Sequence, residues 1–487
     1  MMKILSLSYF DLPPHLRTCL LYMIIFPEDS IIERKDLIRR WIAEGFIQKE
    51  GRYTIYELGE RCFNELLNRS LIQPVQPEGY GKVKTCRVHD IVLDFLISKS
   101  MEENFVILLG VPGVTSGTQR KVHHLAIQVN QQGNVCVPSC LVLSHVRSLS
   151  LFGYSGEIPS LDEFKHLRIL NCHGLRQFKN HHLANIGRLF RLRHMNLRNT
   201  GITELPEQIG RLQSLEVLDI RGTEVCELPA TIVNLRNLVD LLIGCDVKLP
   251  DGVSKMQGLE KLKRVGVFEQ KMNFTPELGQ LPNLRKLHLD FEHHSFSGVT
   301  KEWEKVVSCF LNKLGTRDLA SLTISNDDGL LQEPWCPAPC SLKKLMTFDS
   351  AVPRVPRWMG SLVNLQQLRL EVLGGSQENL CILGGLPSLL NLFIEATGES
   401  EERLQVSAGV GFPCLKVFYY IRYAVMDLMF AAGAMPQLEK LVVQFYKDVD
   451  EPLCFDFGIA NLPCLVTAKY PMYGQAREAE ANRPRVF

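Results

Sequence analysis

Between Leu192 and Leu249 the apolar positions of this chain recur at a fixed interval. Leu192, Leu215 and Leu238 stand 23 residues apart, and each opens the pattern L-x-x-[LM]-x-[LI]. The first two copies continue through Thr200-Gly201-Ile202 and Thr223-Glu224-Val225 into Glu204-Leu205-Pro206 and Glu227-Leu228-Pro229. The alternating triplet reads as a short strand and the remainder as a return segment. A single copy cannot bury its own leucines, so copies must stack and share one continuous core.

The same opening can be read at Val146, Leu167, Leu192, Leu215, Leu238, Leu259, Leu284, Leu319, Leu342, Leu365, Leu389, Leu415 and Leu438. That is the pattern of a leucine-rich repeat, about thirteen turns over residues 146–474, with a parallel β-sheet on the concave side. The long interval from Leu284 to Leu319 holds VTKEWEKVVSCFLNKLG, whose Trp303, Val307, Phe310, Leu311 and Leu314 fall on one helical face. Residues 111–145 read as a linker and N-terminal cap. Gly110–Gly117 is rich in Gly, Pro and Ser, and Val122–Ile127 is the first strand. The charged tail 475–487 is expected to be loosely ordered.

Strand alternation sends the fourth and sixth positions of each copy into the core and the third, fifth and seventh onto the concave face. Early turns present His194, Asn196 and Arg198, then Val217, Asp219 and Arg221, a mixed polar surface. Later turns present Asn391, Phe393 and Glu395, then Val417, Tyr419 and Ile421, then Lys440, Val442 and Gln444. Aromatic and aliphatic side chains on a strand face mark a contact site, so Phe393, Glu395, Tyr419, Ile421 and Val442 are the candidate partner-binding residues. Packing against the chain's own loops is the other reading of the same residues.

Residues 1–110 lack the period. Pro13-Pro14 can start a helix through Cys19-Leu20-Leu21-Tyr22-Met23, which Phe26-Pro27-Glu28-Asp29 stops. A second helix is expected over Arg34–Glu44, with Leu37, Ile38, Trp41 and Ile42 on one face, Gly45 as a left-handed cap and Phe46 folding back. A third spans about Tyr56–Asn68. Leu71–Val75 and Val83–Val88 read as a hairpin, and a fourth helix starts near His89 with Asp90 as N-cap. Helices followed by a hairpin predict a winged helix. The fold class is α/β overall, an α+β winged helix (1–110) leading into the solenoid.

Charge narrows the function. Lys plus Arg number 14 and Asp plus Glu 13 within residues 1–100, and the whole chain carries +1. No positive field supports nucleic-acid binding, and the second helix, with Arg39 and Arg40 among Glu33, Asp36 and Glu44, reads as a solvated mixed-charge helix. The longest apolar run, Cys19–Phe26, is far shorter than the roughly 20 residues a membrane span needs. Fifteen cysteines in a chain without a secretory signal read as reduced thiols, which places it in the cytosol or nucleus. Cys136/Cys140 and Cys336/Cys340 lack zinc spacing. The sequence holds no G-x-x-x-x-G-K-[ST], G-x-S-x-G or H-E-x-x-H, so no catalytic constellation or ATPase loop is expected.

Three phrases in the first hundred residues, LSYFDLPPHLRTCLLYMIIFPED, LIRRWIAEGFI and RVHDIVLDFL, resemble in order and spacing the winged-helix part of plant nucleotide-binding leucine-rich-repeat (NLR) disease-resistance proteins. The first departs from that family's Cys-Phe-Leu-Tyr-Cys core, reading Cys19-Leu20-Leu21-Tyr22-Met23. The third departs from its Met-His-Asp motif, reading Val88-His89-Asp90. The resemblance implies that His89 senses the phosphate of bound ADP, and that Trp41 and Phe46 belong to the core of a switch domain. On the residues alone, His89 reads rather as a packing residue at a helix start. The resemblance implies an intracellular immune receptor whose repeats bind a pathogen effector, a guarded host protein or another NLR chain, and restrain the winged helix. Without a phosphate loop, no cofactor is expected for this chain alone; ADP or ATP is expected only in a full-length context. A protein-binding scaffold or a truncated decoy remains the alternative.

Overall fold

The computed structural model describes the chain apart from residues 1, 76–82, 111–121, 129–136, 139–140, 154–155, 272–273, 293–308, 311, 314–316, 327–328, 333–334, 337, 399–403, 423–427, 446–457, 473–474 and 481–487. Residues 111–117 of the expected linker, most of the expected 300–315 helix, and Cys136 and Cys140 lie outside the described residues. The chain folds as two compact units, Met1–Leu259 and Glu260–Phe487.

The first unit begins with five α-helices: α1 (Met2–Phe10), α2 (Pro14–Leu21), α3 (Arg34–Glu44), α4 (Ile55–Asn68) and α5 (Asp90–Glu103). Helix α2 opens with proline in its first turn and tightens into a 3₁₀ turn over Tyr22–Ile25. Helix α3 ends as its sequence predicts, on Gly45 at φ 83°, with the Phe46 amide returned to the Trp41 carbonyl at 3.0 Å. Thr54 and Glu57 close a capping box on α4, the Glu57 amide donating to Thr54 Oγ1 at 3.2 Å and the Thr54 amide to Glu57 Oε2 at 2.8 Å. The cap of α5 is His89, not the expected Asp90: Asp90 is already helical, where its charge suits the positive end of the helix. The wing is a three-stranded antiparallel sheet in the order β1 (Ile32–Glu33), β3 (Thr85–Arg87), β2 (Gln73–Pro74). Ile32–Glu33 extends the expected hairpin by one strand.

Seven parallel strands follow in register: β4 (Val106–Leu109), β5 (His124–Gln128), β6 (Ser148–Phe152), β7 (Ile169–Asn171), β8 (His194–Asn196), β9 (Val217–Asp219) and β10 (Asp240–Leu242). The expected boundary at residue 110 is therefore too late, because β4 already belongs to the repeat sheet. Each Leu-Pro step sets up a return turn: Pro206 and Pro229 precede 3₁₀ turns over Glu207–Arg211 and Ala230–Asn234. The threonines of the two Thr-x-[IV] words close the strand ends, Thr200 and Thr223 donating to the carbonyls of Leu197 and Ile220, each at 2.7 Å.

In the second unit, parallel strands run from Lys261–Gly266 through Lys286–Asp290, Ser321–Ser325, Lys344–Val352, Gln367–Val372, Asn391–Ala396, Val417–Arg422 and Lys440–Phe445 to Thr467–Met472. The last strand lies beyond the thirteen expected openings. Gln475–Glu480 pairs antiparallel with it, which corrects the expectation of a loose tail from 475; residues 481–487 of that tail lie outside the described residues. Burial alternates along these strands as the repeat predicts, for example Leu392 and Ile394 buried between half-buried Asn391, Phe393 and Glu395. Among the described residues no helix is long and apolar enough to cross a membrane.

Candidate functional site

Parallel register lines up one concave residue per strand. Across the first unit that lateral row reads Val106, His124, Ser148, Ile169, His194, Val217, Asp240. Spacing alone would expose these side chains, yet His124 is 3% exposed, Ser148 1%, Ile169 0%, His194 1%, Val217 5% and Asp240 6%. The cover is the winged helix. This overturns two expectations at once: the early concave face is not a solvent surface, and α3 is not a solvated helix.

Asp36, Arg40 and Glu44 stand four residues apart on α3 and so share a face, which meets the row. His194 and Asp36 are joined by Nε2 and Oδ1 at 2.9 Å, and Arg39 Nη2 reaches Asp240 Oδ1 at 3.3 Å. Arg40 is 2% exposed. Its Nε donates to Asp36 at 2.7 Å and its Nη2 to Asn171 Oδ1 at 2.8 Å, further along the sheet surface. At the rim, Arg198 and Glu33 approach to 3.5 Å. Arg168, from the turn before β7, donates to the Glu44 carbonyl at 2.6 Å and so places a cation at the negative end of α3.

The turn after α2 makes the second half of the seam. Tyr22 and Ser148 share a hydrogen bond at 3.0 Å, and Gln128 Nε2 donates to the carbonyls of Ile24 and Ile25 at 3.3 and 3.0 Å. Beneath the polar contacts the apolar core is continuous: the cluster containing Trp41, Phe63 and Leu96 also takes in Ala126 and Ile169 of the sheet. Area burial supplies the non-specific attraction and the polar pairs fix the register.

Electrostatics sharpen the seam. Burial by itself would raise the pKa of Asp36, but the Arg40 guanidinium and His194 override it and hold the carboxyl well below the usual range. Glu44 is the opposite case. Its side chain is fully buried, neither carboxylate oxygen has a hydrogen-bond partner, and His124 Nδ1 stands 3.4 Å away. A carboxylate buried in this way without a hydrogen bond is costly.

The other sequence candidates are placed as follows. Trp41 is fully buried in the winged-helix core. Phe46 sits at the joint, its ring edge-on to Tyr22 at 5.4 Å and to His124 of β5 at 5.8 Å. Val88 is buried, whereas His89 and Asp90 are exposed at the start of α5. His89 Nδ1 accepts from the Ile91 amide at 3.4 Å; in a neutral ring with Nδ1 so engaged, Nε2 carries the proton and can donate outward.

In the second unit the middle concave row contains Arg369, Phe393, Tyr419 and Val442 side by side. Phe393 and Tyr419 stack at 5.6 Å between ring centres. Arg369 lies over both Phe348 and Phe393, at 4.6 and 4.2 Å, and donates to Glu395 at 3.2 Å. Lys440 lies 5.2 Å from the Tyr419 ring centre. Ile421 and Val442 are half-buried, like Phe393, Glu395 and Tyr419. The structure thus joins the sequence candidates of this face into one platform and adds Arg369 and Lys440 to it.

Known proteins agree with this construction. Residues 25–96 match the model of the disease resistance protein winged helix domain, and residues 145–484 that of a leucine-rich repeat region. The chain belongs to the plant NLR disease-resistance family. Disease resistance protein Pik-2 of Oryza sativa subsp. japonica is 30% identical over 91% of this chain and 49% of its own length. Disease resistance protein RGA5 of the same organism is 31% identical over 91% of this chain and 40% of its own. The chain thus spans about half the length of the curated relatives it matches. Among solved structures, an LRR protein of Leptospira interrogans is similar with a TM-score of 0.43 at 21% identity, covering 69% of this chain and 75% of that one. In this NLR chain, the seam described above joins the winged helix to the first repeats.

Proposed function

We propose that this NLR chain is a receptor segment in which the first repeats restrain the winged helix and the later repeats recognise a protein. The observation that carries this reading is the contrast along the sheet: the concave row from His124 to Asp240 is buried, while Phe393, Tyr419 and Val442 of the later strands remain half-buried. A face filled by the chain's own helix restrains; a face with aromatic side chains still accessible binds. Switching is then a shift between a docked and a released winged helix, biased by what the later repeats hold.

His89 belongs to this switch as the group that would meet a nucleotide phosphate in a longer chain, with Nε2 as the outward donor. The pathogen effector or guarded host protein remains the expected partner class, acting on a chain inside the cell.

Hydrogen exchange on the intact chain tests the restraint. In the Arg40→Ala chain the amides of α3 are expected to exchange at least about ten-fold faster, while those of residues 260–487 stay unchanged. Unaltered exchange in α3 would remove the restraint. For His89, a gene product that carries this chain together with a nucleotide-binding domain should show raised basal defence signalling on His89→Ala, and unchanged signalling would take the switch role away from it.

A further inference from the structure

The residues one step from the aromatic platform specify what it takes. The neighbouring lateral row of the second unit reads Lys261, Lys286, Ser321, Lys344, Gln367, Asn391, Val417, Lys440, Thr467. It holds four lysines and no carboxylate. The row on the other side of the platform carries Asp290, Glu371 and Glu395, and these carboxylates are engaged within the sheet. Asp290 accepts from Asn326 at 2.8 Å, Glu371 from the Ser350 amide at 3.2 Å and Glu395 from Arg369 at 3.2 Å. Across its width the concave face thus carries a lysine row, a middle row that ends in Phe393, Tyr419 and Val442, and a row with three carboxylates.

Building on the recognition role of this face proposed above, we propose that it takes an acidic polypeptide segment. Its carboxylates face the Lys261, Lys286, Lys344 and Lys440 row, and an aromatic or aliphatic side chain rests on the Phe393–Tyr419–Val442 platform. Charge complementarity sets the sign and steers the encounter, and the platform supplies the desolvated anchor. A single-stranded nucleic acid would also answer to lysines beside aromatic rings. The ring faces argue against it. Phe393 is covered on one side by Arg369 and stacks on Tyr419, whose ring lies near Lys440, so the rings offer edges rather than open faces to a base.

Fluorescence anisotropy with the whole chain separates the possibilities. The probes are short synthetic peptides alternating Glu with Phe, Glu with Ala, or Lys with Phe, and an oligothymidylate. The Glu/Phe peptide is expected to bind at least about ten-fold tighter than the other probes. Lys344→Glu with Lys440→Glu should weaken it by a similar factor, and Tyr419→Ala should do so independently. The milder Lys344→Gln with Lys440→Gln should weaken it by a smaller factor while keeping the native thermal unfolding profile. Preference for the Lys/Phe peptide, still dependent on Tyr419, would overturn the acidic partner and leave the recognition role standing. Equal binding of Glu/Phe and Glu/Ala would overturn the anchor, and preference for the oligothymidylate would overturn the polypeptide. Tyr419-independent binding of every probe, or no binding at all, would remove the face as a recognition surface and the inference with it.

Discussion

In the first unit one lateral row of the strands carries His124, Ser148, His194 and Asp240, and in the second unit the row at the third position of the repeat carries Lys261, Lys286, Lys344 and Lys440. Both sets are polar, and both would be solvent-facing in a bare repeat. The first set is buried because its partners arrive from elsewhere in the chain, through Asp36, Arg39, Glu44 and Tyr22. What sets the first face apart is thus not polarity but that its complementary groups come from the winged helix. Asp36 meets Arg40 and His194 and Asp240 meets Arg39, whereas Glu44 faces His124 without a hydrogen bond.

The largest way to break the contrast is Arg40→Ala. Removing a buried guanidinium leaves Asp36 and Asn171 without it, and should cost about 3–5 kcal/mol in urea unfolding followed in the first unit. The equivalent cut in the second unit, Arg369→Ala, removes a pair 29% and 21% exposed and two ring contacts. It should cost at most about 1–2 kcal/mol by the same measurement. If the two costs prove equal, burial is not what distinguishes the faces.

Glu44→Gln probes the seam from the other side. Taking away a buried charge with no hydrogen-bond donor should be neutral or stabilising by about 1 kcal/mol in thermal or urea unfolding. A loss as large as that of Arg40→Ala would show that the Glu44–His124 pair stabilises the seam.

Much of this architecture was legible in the sequence, and the illegible part has one cause. Leucines at 23-residue spacing and the Leu-Pro turns announced the strands, because a buried position tolerates few substitutes. Gly45 announced the end of α3 because only glycine adopts its backbone angle cheaply. Polar residues carry no such mark: His194, Asn196 and Asp219 look the same whether water or a helix faces them. The signal that could have revealed the seam was mutual, a charged stripe at Asp36, Arg40 and Glu44 matched by an imidazole, amide and carboxylate row on strands far away in sequence. The strand ahead of the expected cap, β4, was missed because only Asn104, the left-handed cap of α5, and Phe105 separate Val106-Ile107-Leu108-Leu109 from the helix. The later platform was read from Phe393, Tyr419, Ile421 and Val442, but Arg369 was not, since a lone arginine gives no hint of the ring on either side of it.

Acidity gives a smaller effect. Asp36 titrates well below its unfolded value, so its stabilisation is fully present above about pH 4 and is lost as pH falls through the depressed value. The unfolding free-energy difference between the native chain and Asp36→Asn should stay constant from pH 7 to 5 and shrink only below about pH 4. Shrinkage already near pH 6 would mean that Asp36 is not held by Arg40 and His194. Smallest of all, calorimetry of the isolated chain with ADP should register no heat of binding, since His89 alone offers one donor to a phosphate. A clear micromolar affinity would assign to these residues a nucleotide site of their own.

The winged helix covers the early concave row, while Phe393, Tyr419 and Val442 of the second unit are half-buried. Val217 lies in the buried row between His194 and Asp240, at 5% exposure, and Val442 lies half-buried on the platform. Thiol labelling of Val217→Cys and Val442→Cys, read peptide by peptide by mass spectrometry, compares the two directly. Labelling is expected to be at least about ten-fold slower at position 217, with Arg40→Ala removing the difference; equal rates in the otherwise native chain would mean that the winged helix does not cover this row.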